Sequence, residues 1–216
     1  DRWGVEYASY SRKLCERNAQ AEGVDNVAFQ KGDARHLDFP DETFDAVTSN
    51  YVYHNITGAD KQALLRESLR DGAFCLSSGL IYPPGCYADA EELTALCREL
   101  LPYGAFYETH MRDEGEGVVE ALQEALTVSR QSGAPLQVAH HKVIRKSVWQ
   151  VHCKTTIALI DQARRQGMDV KVDQYPYSAS ATTLDSNAPL WAFEGGVDGL
   201  LARLRDPETR ARINAE

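Results

Sequence analysis

The sequence predicts an α/β protein built from two incomplete units: a partial Rossmann-like αβ unit up to about Arg70, then part of a parallel (β/α)8 barrel. Three observations predict it. Up to Arg70 the hydrophobic pattern reads helix, strand, strand, helix. From Asp71 onward strand and helix patterns alternate at about thirty-residue intervals, the rhythm of parallel βα units. The ionisable residues His110, His140 and Asp173 fall at the C-terminal ends of those strands, the rim where such a barrel carries its chemistry.

Each element has its own local reason. Leu14, Ala19 and Ala21 recur at helical spacing from Tyr10 to Glu22, and Gly23 can end that helix. Asn26–Gln30 alternates like a strand. Phe44–Ser49 reads as a second strand, set off by Pro40-Asp41-Glu42, with a short helix near His36. Lys61–Arg70 offers Ala63, Leu64 and Leu65 to a helix interface. Gly72–Leu80 is a strand and Ile81–Cys86 a loop. Glu91–Leu101 is a helix, Ala105–Thr109 a strand, and Gly117–Ser132 a helix closed by Gly133. Leu136–Ala139 is a strand, Thr155–Gln166 a helix closed by Gly167, and Asp169–Asp173 a strand. The segment from Gly199 to Glu216 is helix-prone, broken at Pro207.

Composition narrows the function classes. The 216 residues are 43% hydrophobic and 25% charged, ordinary for a globular chain. A formal net charge of −9 without a basic cluster argues against nucleic-acid binding. No run has the length of a membrane span, and Asp1-Arg2-Trp3-Gly4 is unlike a signal peptide. The opening on a residue other than Met suggests a truncated or processed start. The five cysteines make no CxxC pair, so free thiols in a reducing cytoplasm are expected, each serving as a small hydrophobe.

In the first unit, Asp33 follows a strand and could accept hydrogen bonds from an adenine amino group, with the Ala34 backbone N–H beside it. Asp1, at the end of a strand, could hold ribose hydroxyls. Asp33 as the cap of a turn is the competing role. The run Asn26-Val27, Lys31-Gly32-Asp33-Ala34-Arg35, Leu37-Asp38-Phe39-Pro40-Asp41-Glu42-Thr43-Phe44-Asp45-Ala46-Val47 and His54-Asn55-Ile56 resembles class I S-adenosylmethionine-dependent methyltransferases over about a third of the chain. That resemblance implies Asp1, Asp33 and Ala34 as cofactor contacts. The family's glycine-rich loop would precede Asp1, so little S-adenosylmethionine affinity is expected.

In the second unit, His110 and His140 close consecutive strands and direct their rings toward one rim, a reasonable half of a zinc site. A purely structural role is the alternative for either one alone. Arg112 and Lys142 lie near the same rim and could bind a carboxylate or polarise a carbonyl. The runs Asp71–Ala88, Thr109-His110-Met111-Arg112-Asp113-Glu114, His140-His141-Lys142, Asp173-Gln174-Tyr175-Pro176-Tyr177 and Trp191–Gly196 are similar to the N-acyl-D-amino-acid deacylase (D-aminoacylase) family of the amidohydrolase superfamily. The similarity extends from about Ala63 to the end.

This resemblance implies a zinc-bearing barrel that hydrolyses N-acyl-D-amino acids to a carboxylate and a free D-amino acid. His110 and His140 would be zinc ligands; Arg112, Lys142 and Tyr175 would line the substrate cavity, with a packing role the alternative for Tyr175. His141 is the less favoured of its pair, because neighbouring strand side chains face oppositely. His36 and His54 belong to the first unit, and His152 has no motif around it. The family's early His-x-His pair and metal-binding cysteine would lie upstream of this chain, and its general-base aspartate beyond it.

The domains expected are therefore residues 1–70, a truncated methyltransferase-like unit, and residues 71–216, a partial amidohydrolase barrel, spliced within Leu64–Phe74. A chimeric remnant without catalysis and a working methyltransferase are the alternative functions. A short run of barrel strands leaves open sheet edges, so self-association is expected. Otherwise the partner is a small molecule, not a nucleic acid or a membrane.

Overall fold

The computed structural model describes residues 11–30, 32, 38–40, 42–45, 60–177, 179, 181–182 and 188–215. Among them, helix α1 is Arg12–Ala21, α2 Lys61–Arg70, α3 Ala90–Arg98, α4 Val118–Ser132, α5 Trp149–Arg165, α6 Gly196–Arg205 and α7 Pro207–Ala215. Strands β1 (Cys75–Gly79), β2 (Phe106–His110), β3 (Leu136–Val138) and β4 (Val170–Val172) form one sheet in the order β1-β2-β3-β4. Neighbours run parallel: Phe106 N–H donates to Phe74 O and Leu80 N–H to His110 O, so position advances together along both strands. Tyr107 to Pro135 and Ala139 to Thr109 repeat this between β2 and β3. Each new parallel strand enters through a helix, as sequential order requires.

The chain divides into two compact units. One takes the residues up to Ser77, with Asp89–Glu108 and Thr127–Leu136; the other takes Ser78–Ala88, Thr109–Leu126 and Gln137–Glu216. In the first, α2 lies on α3. Of the residues the spacing offers on α2, Leu64 and Leu65 are buried and Ala63 is exposed; Leu69 is buried as well, with Leu93 and Cys97 on α3. Lys61–Glu92 (2.5 Å) and Arg66–Glu99 (2.8 Å) rim the helix pair; exposed ion pairs of this kind contribute at most about 1 kcal/mol, so apolar burial holds the pair. Burial pushes the Cys97 thiol up to about 12, which makes it a packing group.

In the second unit, Ala192, Leu200 and Ile213 form a small core under α6 and α7. Arg212 stacks over the Trp191 ring at 4.0 Å, and Arg203 donates to the carbonyls of Ala192 and Glu194. Pro207 opens α7 at its first position, where a missing N–H costs nothing.

Two expectations meet a different outcome, and three fall on residues that are not described. Asn26–Gln30 is irregular, with Val27 48% exposed; alternation alone does not make a strand without a partner to pair with. Helix α5 starts at Trp149, six residues before the predicted Thr155, because it carries the exposed Trp149 and Val151 that an apolar-stripe reading discards. The end of the second predicted strand, the short helix near His36, and His54 lie outside the described residues. All five cysteines are free. No helix among the described residues is long and apolar enough to cross a membrane.

Candidate metal centre

The site is built at the C-terminal ends of β2 and β3. Strand alternation buries Tyr107 and Thr109 completely on one face of β2 and leaves His110 on the other. Ser78 and Thr109 hydroxyls meet at 2.9 Å, tying β1 to β2 one residue before the histidine. After β2 the chain turns sharply: Asp113 Oδ1 accepts the Gly115 N–H at 2.5 Å. The Ile144 N–H bonds Glu114 O at 2.8 Å. Those two restraints carry the Glu114 side chain back over His110, where it is 4% exposed.

His140 arrives differently. Strand β3 ends at Val138, so period-two alternation no longer governs His140 and His141. His140 adopts φ +37, sparsely populated for a residue with a Cβ. Asp173, just past β4, holds that turn: its Oδ1 accepts the His140 N–H at 2.5 Å and its carbonyl accepts the His141 N–H at 2.9 Å. The Asp173 Oδ2 accepts the Gln137 amide at 2.6 Å.

The outcome is a cluster of His110, Glu114 and His140 whose donor atoms all lie within 4.8 Å of one another. Glu114 Oε2 is 3.5 Å from His110 Nε2, and Oε1 is 3.1 Å from His140 Nδ1. The Lys142 ammonium bonds Glu114 Oε1 at 2.6 Å and His140 Nδ1 at 3.0 Å. His110 Nε2 is buried without a hydrogen-bond partner among the described residues. The imidazoles meet edge to face at 4.4 Å, with Tyr82 edge to face with His110 on the far side (5.1 Å) and the Tyr175 ring tilted against His140 (5.3 Å).

Electrostatics suits ligation. Burial pushes the Glu114 carboxyl up, but His110 and Lys142 more than reverse it and hold it below the usual carboxylate range. Burial, then the charges of Lys142 and His110, lowers the His140 pKa, which keeps the ring neutral. Two imidazoles and a carboxylate are donors that zinc accepts, and a ring nitrogen without a hydrogen-bond partner among the described residues is aimed among them. The residues present therefore fit a metal ion.

Of the residues expected at the site, the structure brings together His110, His140, Lys142 and Tyr175; Lys142 Nζ stands 5.2 Å from the Tyr175 ring centre. His141 stays out of the cluster, its Nε2 buried and without a hydrogen-bond partner among the described residues. Arg112 is committed to protein: its fork clamps both Glu124 oxygens at 2.9 Å, and it also donates to Cys86 O and Ala88 O at 2.5 and 2.7 Å. Asp1, Asp33 and Ala34 lie outside the described residues. Glu114 is the site residue that sequence reasoning did not single out, although it closes the run Thr109–Glu114; an acidic residue four positions after His110 was the available signal.

Residues 2–71 match a family model described as a methyltransferase domain. The D-aminoacylase of Alcaligenes xylosoxydans xylosoxydans is 39% identical over 129 residues, 60% of this chain and 26% of that protein. The N-acyl-D-glutamate deacylase of the same organism is 39% identical over 123 residues, 57% of this chain and 25% of that one. The structure of the N-acyl-D-glutamate deacylase from Bordetella bronchiseptica, complexed with zinc and a phosphonate mimic of the reaction's tetrahedral intermediate, gives a TM-score of 0.53 at 38% identity, over 54% of this chain and 24% of that one. The chain spans about a quarter of the length of these relatives. Over part of its length the chain is a homologue of the D-aminoacylases and N-acyl-D-amino-acid deacylases of the amidohydrolase superfamily, and at its N-terminus it carries a match to a methyltransferase domain.

Proposed function

We propose that this chain supplies part of a zinc-dependent site for hydrolysing the amide bond of N-acyl-D-amino acids. Residues 71–216 form a partial amidohydrolase barrel in this reading, and residues 1–70 a methyltransferase-like unit. The observation that carries it is the convergence of His110 and His140 from the ends of adjacent parallel strands, with a buried carboxylate joining them. His110 and His140 would hold the metal, which when bound supplies Lewis acidity to an amide carbonyl. Lys142 offers an ammonium to the substrate carboxylate, and the Tyr175 phenol a hydrogen bond to the carboxylate or the scissile carbonyl. Tyr82 and Tyr175 flank the imidazoles on either side. Arg112 shapes the cavity by fixing the loop at Cys86 and Ala88.

The test is release of free amine from N-acetyl-D-amino acids with zinc added, alongside zinc affinity measured against a chromophoric chelator. His140→Ala is expected to abolish both. Zinc binding that survives His110→Ala and His140→Ala unchanged would remove the reading.

The match of residues 2–71 favours a second reading, S-adenosylmethionine binding through Asp1, Asp33 and Ala34. Calorimetry at millimolar cofactor decides it: heat that disappears on Asp33→Ala supports a methyltransferase role, and a flat titration ends it. Self-association belongs to the first proposal, since β1 and β4 are the outer strands of the described sheet. Sedimentation velocity is expected to show species larger than the 24.0 kDa chain.

A further inference from the structure

We infer that Glu114 is the third donor of a three-residue cation site with His110 and His140, and that the Lys142 ammonium competes with a divalent metal for it. The inference deepens the metal reading above and rests on it.

Geometry argues for Glu114 as donor. Zinc bonds of about 2.0–2.2 Å in a tetrahedron separate neighbouring donors by roughly 3.3–3.6 Å. Of the two contacts of Glu114, 3.5 Å to His110 Nε2 falls within that span and 3.1 Å to His140 Nδ1 lies just below it. Its two oxygens face different rings, so one carboxylate spans the whole cluster. His110 Nε2 is buried with no hydrogen-bond partner among the described residues, and a metal shared with Glu114 would give it one.

Lys142 argues for competition. Its ammonium sits 2.6 Å from Glu114 Oε1 and 3.0 Å from His140 Nδ1, two of the three atoms a metal would take. Ammonium and metal would meet the same lone pairs, and a single carboxylate charge does not neutralise both at such range. A metal therefore displaces Nζ from Glu114 and His140. The displaced ammonium is released toward the Tyr175 side, where it becomes available to an anion. Metal loading and carboxylate binding are coupled through one side chain.

The experiment is a zinc titration of the whole chain against a chromophoric chelator, with Co²⁺ absorption as an independent report on the donors. The variants are Glu114→Gln, Lys142→Met, Lys142→Gln and His140→Ala, with thermal unfolding confirming that each folds. Lys142→Met and Lys142→Gln are expected to bind zinc about tenfold tighter or more. Glu114→Gln is expected to weaken binding about 10–100-fold and to change the Co²⁺ spectrum. Should Glu114→Gln fail to fold, the lysine variants and the parent spectrum decide.

If His140→Ala loses zinc while the Glu114 and Lys142 variants match the parent, this inference falls and the metal reading stands. If no variant and no parent protein binds zinc, both fall. A parent that binds weakly and a Lys142→Met variant that binds well supports the inference directly.

Discussion

The carboxylate of Asp173 accepts the backbone N–H of His140 at 2.5 Å, so a residue beyond β4 fixes the backbone of a candidate ligand beyond β3. The His140 φ of +37 needs such a restraint, because an unsupported residue of this size leaves the left-handed region readily. Replacing Asp173 with Ala also removes the acceptor of the Gln137 amide. The expected loss is about 1–3 kcal/mol in chemical denaturation, with zinc affinity falling although Asp173 is outside the three-donor cluster. Asp173→Asn keeps one acceptor oxygen and is expected to fall between the two. Unchanged zinc affinity in Asp173→Ala would show that His140 holds its turn unaided.

Protonation sets a second prediction. His140 and His141 have pKa values below the ordinary 6.5, burial being the leading cause for both. Between the folded and unfolded values the unfolded chain binds more protons, so acidification favours unfolding. The stability these rings contribute is present above pH 6.5 and is lost as pH falls through their lower folded values. Glu114, also lowered, has the same sign in a separate window below its ordinary 4.5. Thermal midpoints measured with chelator present are expected to drop as pH falls below about 6.5, and His141→Gln to flatten that first drop. A midpoint that rises on acidification would contradict the assigned directions.

Arg112 carries a third. Its planar fork meets both oxygens of Glu124 while its remaining donors serve Cys86 O and Ala88 O. Lysine keeps the charge but not the paired geometry, so Arg112→Lys is not conservative here. Destabilisation of about 1–3 kcal/mol is expected, with faster proteolytic cleavage near Cys86. A double-mutant cycle with Glu124→Ala separates the salt bridge from the carbonyl bonds. A coupling near zero would mean that the carbonyl contacts alone hold the loop.

Much of this was legible in the sequence, for reasons that also explain what was not. Lys61–Arg70 matches α2 to the residue, since its leucines are spaced for one face and Asp60 accepts from Gln62 and Ala63 N–H at the start. His110 and His140 were readable because strand ends are marked by a switch from apolar to ionisable residues. Glu114 was not. It lies on a non-helical loop, and only the Asp113–Gly115 turn and the Ile144–Glu114 bond bring a residue four positions on back to its histidine. The Asp173–His140 bond joins a side chain to a backbone 33 residues away, a pairing that no local pattern encodes. Arg112 looked available for a ligand because charge is visible in a sequence and its partners on α4 and the loop after β1 are not.

The loop after β1 offers the most local prediction. A Cβ added to Gly85 would lie 2.5 Å from the Gly79 carbonyl oxygen, a distance that no side chain tolerates and that backbone movement alone can relieve. Moving Gly85 disturbs its neighbour Cys86, whose carbonyl Arg112 binds and whose N–H donates to Tyr82 O, and with it the Tyr82 ring that meets His110 edge to face. Gly85→Ala is therefore expected to cost about 1–3 kcal/mol and to loosen the Tyr82 side of the cluster. Gly79→Ala serves as the comparison, because its Cβ meets only the Tyr82 ring, at 3.2 Å, and that side chain can give way. Denaturation midpoints of the two variants should separate clearly, with Gly85→Ala the lower. Equal midpoints would mean that the loop is free to shift, and that Tyr82 is no fixed wall for the histidines.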